Sequence, residues 1–215
     1  MKSISKLSHI GVANRKPLRV NKAFIFAFRV SIHLISAIWL GIVYYQALSG
    51  HLEGDPVQYL LDFSGIGTLH LLFASLLISP LAQWMKFQQL MRIRKTFGVY
   101  AALYALFHVW VFIAYELQFE WLLIASEIIE RPYITVGALA ALILIALLAS
   151  SFEKIKKKMG SKWQKLHNFV YIAVIAGCIH YLWSVKSNWY EPAIYLSIAT
   201  LLLLIRRKKI KNLFK

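Results

Sequence analysis

Residues Pro132–Ser150 read PYITVGALAALILIALLAS, nineteen positions without one charged side chain. A helix needs roughly 20 apolar residues to cross the hydrocarbon core of a bilayer, at about 1.5 Å of rise each. Working outward from this run, five further stretches have the same character: Val30–Ala47, Gly67–Gln83, Thr96–Tyr115, Leu166–Val185 and Trp189–Ile205. The last is short and begins on Trp189 and Tyr190, residue types that anchor helices at a membrane interface. Across 215 residues, 59% are hydrophobic and only 16% charged, against about 25% charged in a soluble domain. That excess is too large for one buried core. The reading is an all-α integral membrane protein, a bundle of six transmembrane helices. Residues 30–205 form the membrane domain, 1–29 a basic N-terminal segment and 206–215 a basic tail.

Charge placement orients the bundle. The N-terminal segment, the connections Trp84–Lys95 and Ser151–Lys165, and the tail from Arg206 hold 22 of the 25 Lys and Arg residues. Arg29 adds one more to that side, leaving only Arg131 and Lys186 opposite. Eight of the nine acidic residues lie on the sparsely basic side. The positive-inside rule then puts both termini in the cytoplasm. The net charge of +16 is therefore topology, distributed in short blocks with no groove for a nucleic acid. No cleavable signal peptide is expected, because the first 22 residues are basic and polar. A single cysteine, Cys178, argues against disulfides and structural zinc. No glycine-rich phosphate loop or catalytic nucleophile appears, so any cofactor belongs among the helices.

Ionisable side chains within a membrane are costly and mark candidate functional sites. Of seven histidines, His9 and His51 lie outside the apolar runs. His33 and His167 sit near the cytoplasmic ends of their helices. His108 and His180 share a depth near the outer side, on two different helices, and His70 joins that tier. Two neutral imidazoles from different helices at one depth suit a six-coordinate b-type haem. The thirteen residues between His167 and His180 would let two cofactors stack across the membrane. At 3.6 residues per turn, however, this spacing leaves the two rings roughly 140° apart, which a distortion near Gly177 would relieve. A His33–His167 pair is the depth-matched candidate for an inner haem. The competing readings are histidines bonded to neighbouring helices, a proton relay and a metal transporter. Few intramembrane carboxylates and no paired broken helices favour transport less. For a flavin phosphate, Arg92, Arg94 and Lys95 offer fixed cations near a helix N-terminus. They serve equally as ordinary positive-inside charges.

Several strings point to a family. Gly54-Asp55-Pro56-Val57 precedes Leu76-Leu77-Ile78-Ser79-Pro80-Leu81-Ala82, followed by Arg131-Pro132-Tyr133-Ile134-Thr135-Val136-Gly137. Trp163-Gln164-Lys165-Leu166-His167-Asn168-Phe169-Val170-Tyr171 and His180-Tyr181-Leu182-Trp183-Ser184-Val185-Lys186 complete the set. The chain so resembles the MsrQ (YedZ) family, haem-binding membrane subunits of the bacterial periplasmic methionine sulfoxide reductase system, in the ferric-reductase-like transmembrane group. The resemblance implies an inner-membrane electron carrier with haem b, one or two, and FMN as cofactors. It implies a periplasmic molybdopterin partner, MsrP, that repairs methionine sulfoxide in oxidised proteins. Electrons would come from the quinone pool or a cytosolic flavin reductase. His108, His167 and His180 match the family's haem-linked histidines, and catalysis would reside in the partner. Glu116, Glu120, Glu127 and Glu130 are candidates for steering that partner. The alternatives are a stand-alone quinone or ferric reductase, and a haem-free transporter or assembly protein.

Overall fold

The structure is a computed structural model that describes residues 21–185, 187–207 and 210. Expectations for residues 1–20, for Lys186 and for most of the tail beyond Arg207 lie outside that set. The described residues are helical, with no strand among them. The nine α-helices are α1 (Lys22–Leu48), α2 (Pro56–Trp84), α3 (Met91–Val111), α4 (Trp121–Glu130), α5 (Pro132–Ala149), α6 (Glu153–Met159), α7 (Ser161–His167), α8 (Val170–Ser184) and α9 (Tyr190–Ile205). One π-helical turn, Phe112–Glu116, follows α3.

Five segments are long and apolar enough to cross a membrane: α1, α2, α3 with its flanking turns, α5, and α7 with α8. The sixth expected span, α9, is apolar but only 16 residues long. Its length, about 24 Å at 1.5 Å per residue, falls short of a typical 30 Å hydrocarbon core. The protein is multi-pass, and exposed Leu139 and Leu142 on α5 show where lipid would lie.

The helices begin earlier than hydropathy suggests. Asn21 caps α1 by accepting from Ala23 N at 3.1 Å. Asp55 caps α2 through Val57 N at 2.9 Å, with Pro56 in the first turn. Such caps satisfy orphan amides and set the helix start. The first turns of α2 carry Gln58 and Asp62, bonded to each other at 2.9 Å. These polar residues hide the helix from a hydropathy count.

The main core joins α2, α3, α5, α8 and α9 through Leu72, Leu76, Ala101, Leu144, Val174 and Ala199, all buried. Helix α1 packs outside this core, against α2 and α3. Hydroxyls fasten it there: Tyr104 donates to Ser36 O at 2.8 Å, and the Tyr44 and Tyr115 hydroxyls pair at 2.6 Å.

Pro80 lies inside α2 and has no N–H to donate, which frees the carbonyl of Leu76 one turn earlier. Arg206, buried at the end of α9, donates Nη2 to that carbonyl and Nη1 to Tyr171 Oη at 3.3 Å. A residue at the far end of the chain thus repairs a gap that proline opens in the second helix. Arg206→Met is expected to lower the unfolding midpoint of the detergent-solubilised protein by an amount equivalent to roughly 1–3 kcal/mol, the cost of an unsatisfied buried carbonyl. Adding Pro80→Ala, which restores the missing donor, should recover most of that loss. A double variant no more stable than Arg206→Met alone would separate the two residues.

Candidate functional site

A cavity of about 690 Å³ lies among α2, α3, α5 and α8, within the usual range for cofactor pockets. At the acidic end of the bundle it is lined by Glu116 of the π turn and Glu127 of α4. Its far end is apolar, with Leu69, Leu72, Leu144 and Ala173. His108 from α3 and His180 from α8 both line it.

Backbone carbonyls hold the two imidazoles. His108 Nδ1 lies 3.0 Å from Leu61 O and 3.3 Å from Ser64 Oγ. His180 Nδ1 lies 2.7 Å from Tyr133 O. A carbonyl only accepts, so each Nδ1 must carry the proton and each Nε2 is left with its lone pair. This is the arrangement in which an outer hydrogen bond fixes the tautomer of a metal-binding histidine. The ring centroids are 6.1 Å apart. With metal–imidazole bonds of about 2 Å, two rings on opposite sides of one metal ion have centroids roughly 6 Å apart. The donor set, the spacing and the apolar far wall all fit a b-type haem.

Glycines give the rings their room. A methyl group on Gly137 would stand 2.6 Å from His180 Nδ1 and 2.9 Å from Cε1. One on Gly65 would meet the His108 ring at 3.3 Å. Neither glycine, nor the carbonyls of Leu61 and Tyr133, was singled out as a site from the sequence. Gly137 ends the Arg131–Gly137 string, so its position was visible but its task was not. The close approach is made by backbone, which composition and spacing do not encode.

His167 occupies a different place. It ends α7, and the chain turns at Asn168 and Phe169 before α8 begins. This irregularity in an otherwise continuous span lies eight residues before Gly177. Ser150 Oγ lies 3.1 Å from Leu147 O and 3.0 Å from His167 Nε2. The His167 ring packs on Trp163 with centroids 4.0 Å apart. Its charged neighbours are Arg94, Lys95 and Lys156.

His33 is exposed and bonded through Nδ1 to Tyr100 Oη at 3.1 Å. His70, also exposed, pairs through Nε2 with Tyr195 Oη at 2.7 Å, and neither histidine lines the cavity. The structure brings His108 and His180 together, and gives His33 and His167 separate partners. At the basic end, Arg92 is exposed, Arg94 half-buried, and Lys95 pairs with Glu153 at 3.5 Å. Among the described residues Arg92 and Arg94 have no carboxylate partner.

Residues 64–178 match the family described as ferric reductase like transmembrane component. That interval contains α3 and α5 entire, with His108, Gly137 and His167. The chain is 39% identical over 185 residues to the protein-methionine-sulfoxide reductase heme-binding subunit MsrQ of Klebsiella pneumoniae (strain 342), covering 86% of this chain and 93% of that protein. No solved structure matches.

Proposed function

Since the chain belongs to the MsrQ haem-binding subunits, within the ferric-reductase-like transmembrane proteins, we propose that it carries electrons across the bacterial inner membrane to a periplasmic methionine sulfoxide reductase, MsrP. The observation that supports this most is the His108–His180 pair, with both Nε2 atoms bare and ring centroids 6.1 Å apart, both rings lining one cavity. When bound, a b-type haem supplies one-electron chemistry between ferric and ferrous iron, and two imidazole ligands leave no open site for oxygen. The protein's share is to hold the rings, keep their tautomers and exclude water with the apolar wall.

Sidedness follows from charge. The basic end, with the α2–α3 connection and α6, faces the cytoplasm, and the acidic end faces the periplasm. In this topology both termini are cytoplasmic and α9 completes six crossings. Glu116, Glu120, Glu127 and Glu130 then lie on the periplasmic side and favour a partner with a basic docking face. At the cytoplasmic end, Arg94, with Arg92 and Lys95, would hold the phosphate of FMN. Arg94 is the strongest of the three, since it is half-buried without a carboxylate. His167, close to the same cations, is the candidate ligand for a second haem at this depth. The quinone pool or a cytosolic flavin reductase is the electron source.

Proteoliposomes test the function directly. With a reduced quinone or a flavin reductase inside and MsrP outside, wild-type protein should support reduction of peptide methionine sulfoxide, and His108→Ala should reduce the rate by at least about tenfold. Equal rates with and without the protein would refute the carrier role. Turnover of ferric chelates or quinone at the same rate in the absence of MsrP would favour a stand-alone reductase.

A further inference from the structure

We propose that Arg131 is the positioning residue that holds the carboxylates of the haem and so determines which way round it sits; this rests on the haem reading above. Haem is amphiphilic, with an apolar macrocycle and two propionates on one edge. The cavity is amphiphilic in the same sense. Leu69, Leu72, Leu144 and Ala173 line its apolar part, whereas Gln58, Asp62, Glu116, Glu127, Arg131 and Asn188 line it toward the acidic end of the bundle. Burying carboxylates against leucine is far costlier than leaving them at the polar end. The propionate edge therefore belongs at the acidic end.

That end is a poor place for two more negative charges unless a cation receives them. Three carboxylates already line it, and Arg131 is the only Lys or Arg among the described lining residues. Its guanidinium lies at that end, at the junction of α4 and α5. Nη2 reaches Glu127 Oε1 at 2.8 Å and Nη1 reaches Tyr133 Oη at 3.2 Å. A guanidinium has five N–H donors in a planar fork suited to carboxylates, so three remain. Its side chain is 53% exposed, and it is one of the residues lining the cavity.

The backbone adds a second reason. Arg131 is two residues before Tyr133, whose carbonyl fixes the His180 ring, and Pro132 between them restricts the chain. One three-residue segment thus presents both the cation for the ligand's acidic edge and the acceptor that orients an iron-binding imidazole. The Thr135 hydroxyl donates to Ile128 O and ties this segment to α4.

The test compares release of two haems from the detergent-purified holoprotein into excess myoglobin apoprotein: ordinary haem, and its dimethyl ester, in which both propionates are blocked. For ordinary haem, Arg131→Gln should release about tenfold faster than wild type, and Arg131→Lys should lie between. Loss of the cation should also shift the midpoint potential of the bound haem downward, because ferrous iron loses a favourable neighbour. With the dimethyl ester the two proteins should release at the same rate. Equal release of ordinary haem would overturn the proposal. A difference that persists with the ester would overturn it too, showing that Arg131 only braces α4 on α5. A colourless wild-type protein would instead remove the haem reading on which it rests.

Discussion

His180→Ala is expected to purify with little or no low-spin haem. The variant removes one of the two imidazoles that line the cavity, leaving His108 as the sole imidazole among the described lining residues. It also leaves Tyr133 O without the His180 donor. Among the described lining residues there is no other imidazole to replace it, since His70 is outside the cavity and bonded to Tyr195. His108→Ala should behave the same way, and His70→Ala should keep its haem. Haem content per protein, by pyridine haemochrome, and the reduced visible bands measure the effect. A His180→Ala protein with a full low-spin spectrum would show that the pair is not the ligand set.

Gly137→Ala should come close to the same loss, although it removes no ligand. The added methyl would lie 2.6 Å from His180 Nδ1, the atom bonded to Tyr133 O. The backbone of α5 cannot retreat without disturbing its packing on α8, so the ring must move and its orienting bond must lengthen. Ring orientation is what ligation depends on, and displaced outer contacts typically cost 10–100-fold in metal affinity. Gly65→Ala, with contacts at 3.3 Å to His108, should lower haem content less. Gly41→Ala meets nothing within 4 Å and should retain full haem, with helix stability raised by roughly 0.5–1 kcal/mol. Haem-to-protein ratios across the three variants, each checked for monodispersity, would establish the order. An unchanged ratio in Gly137→Ala would show that the imidazole is not held where the structure places it.

Much of the architecture is legible from the chain because lipid imposes a simple rule: uncharged runs of bilayer length are helices. Pro132–Ser150 falls within a residue of α5 for that reason. Two features escape the rule. The start of α2 is hidden by Gln58 and Asp62, which are polar and line the cavity. The segment Trp121–Glu130 falls between two expected spans and folds into α4, whose exposed Trp121, Leu122 and Ile129 mark an apolar face too short to cross a membrane. For the site, depth along the helices puts His108, His180 and His70 in one tier, since rise per residue is nearly constant, and the fold sets the first two rings side by side. Depth carries no information about azimuth. It pairs His33 with His167, whereas the fold sets His33 against Tyr100 of α3 and His167 beside Ser150. The turn at Asn168 and Phe169 is equally invisible to a periodicity argument that assumes one straight helix. Gly65, Gly137 and the two orienting carbonyls depend on how closely helices approach, which no single-chain pattern records.

The central claim is that one haem is held between His108 and His180. Its most direct test is the reduced-minus-oxidised visible spectrum of the detergent-purified protein, with a pyridine haemochrome ratio taken on the same sample. Sharp low-spin b-type bands and at least one haem per chain are the expected result, and a ratio of two would add a site at His167. A protein that stays colourless, even when expressed with supplemented haem, would contradict the account and return both histidines to helix packing.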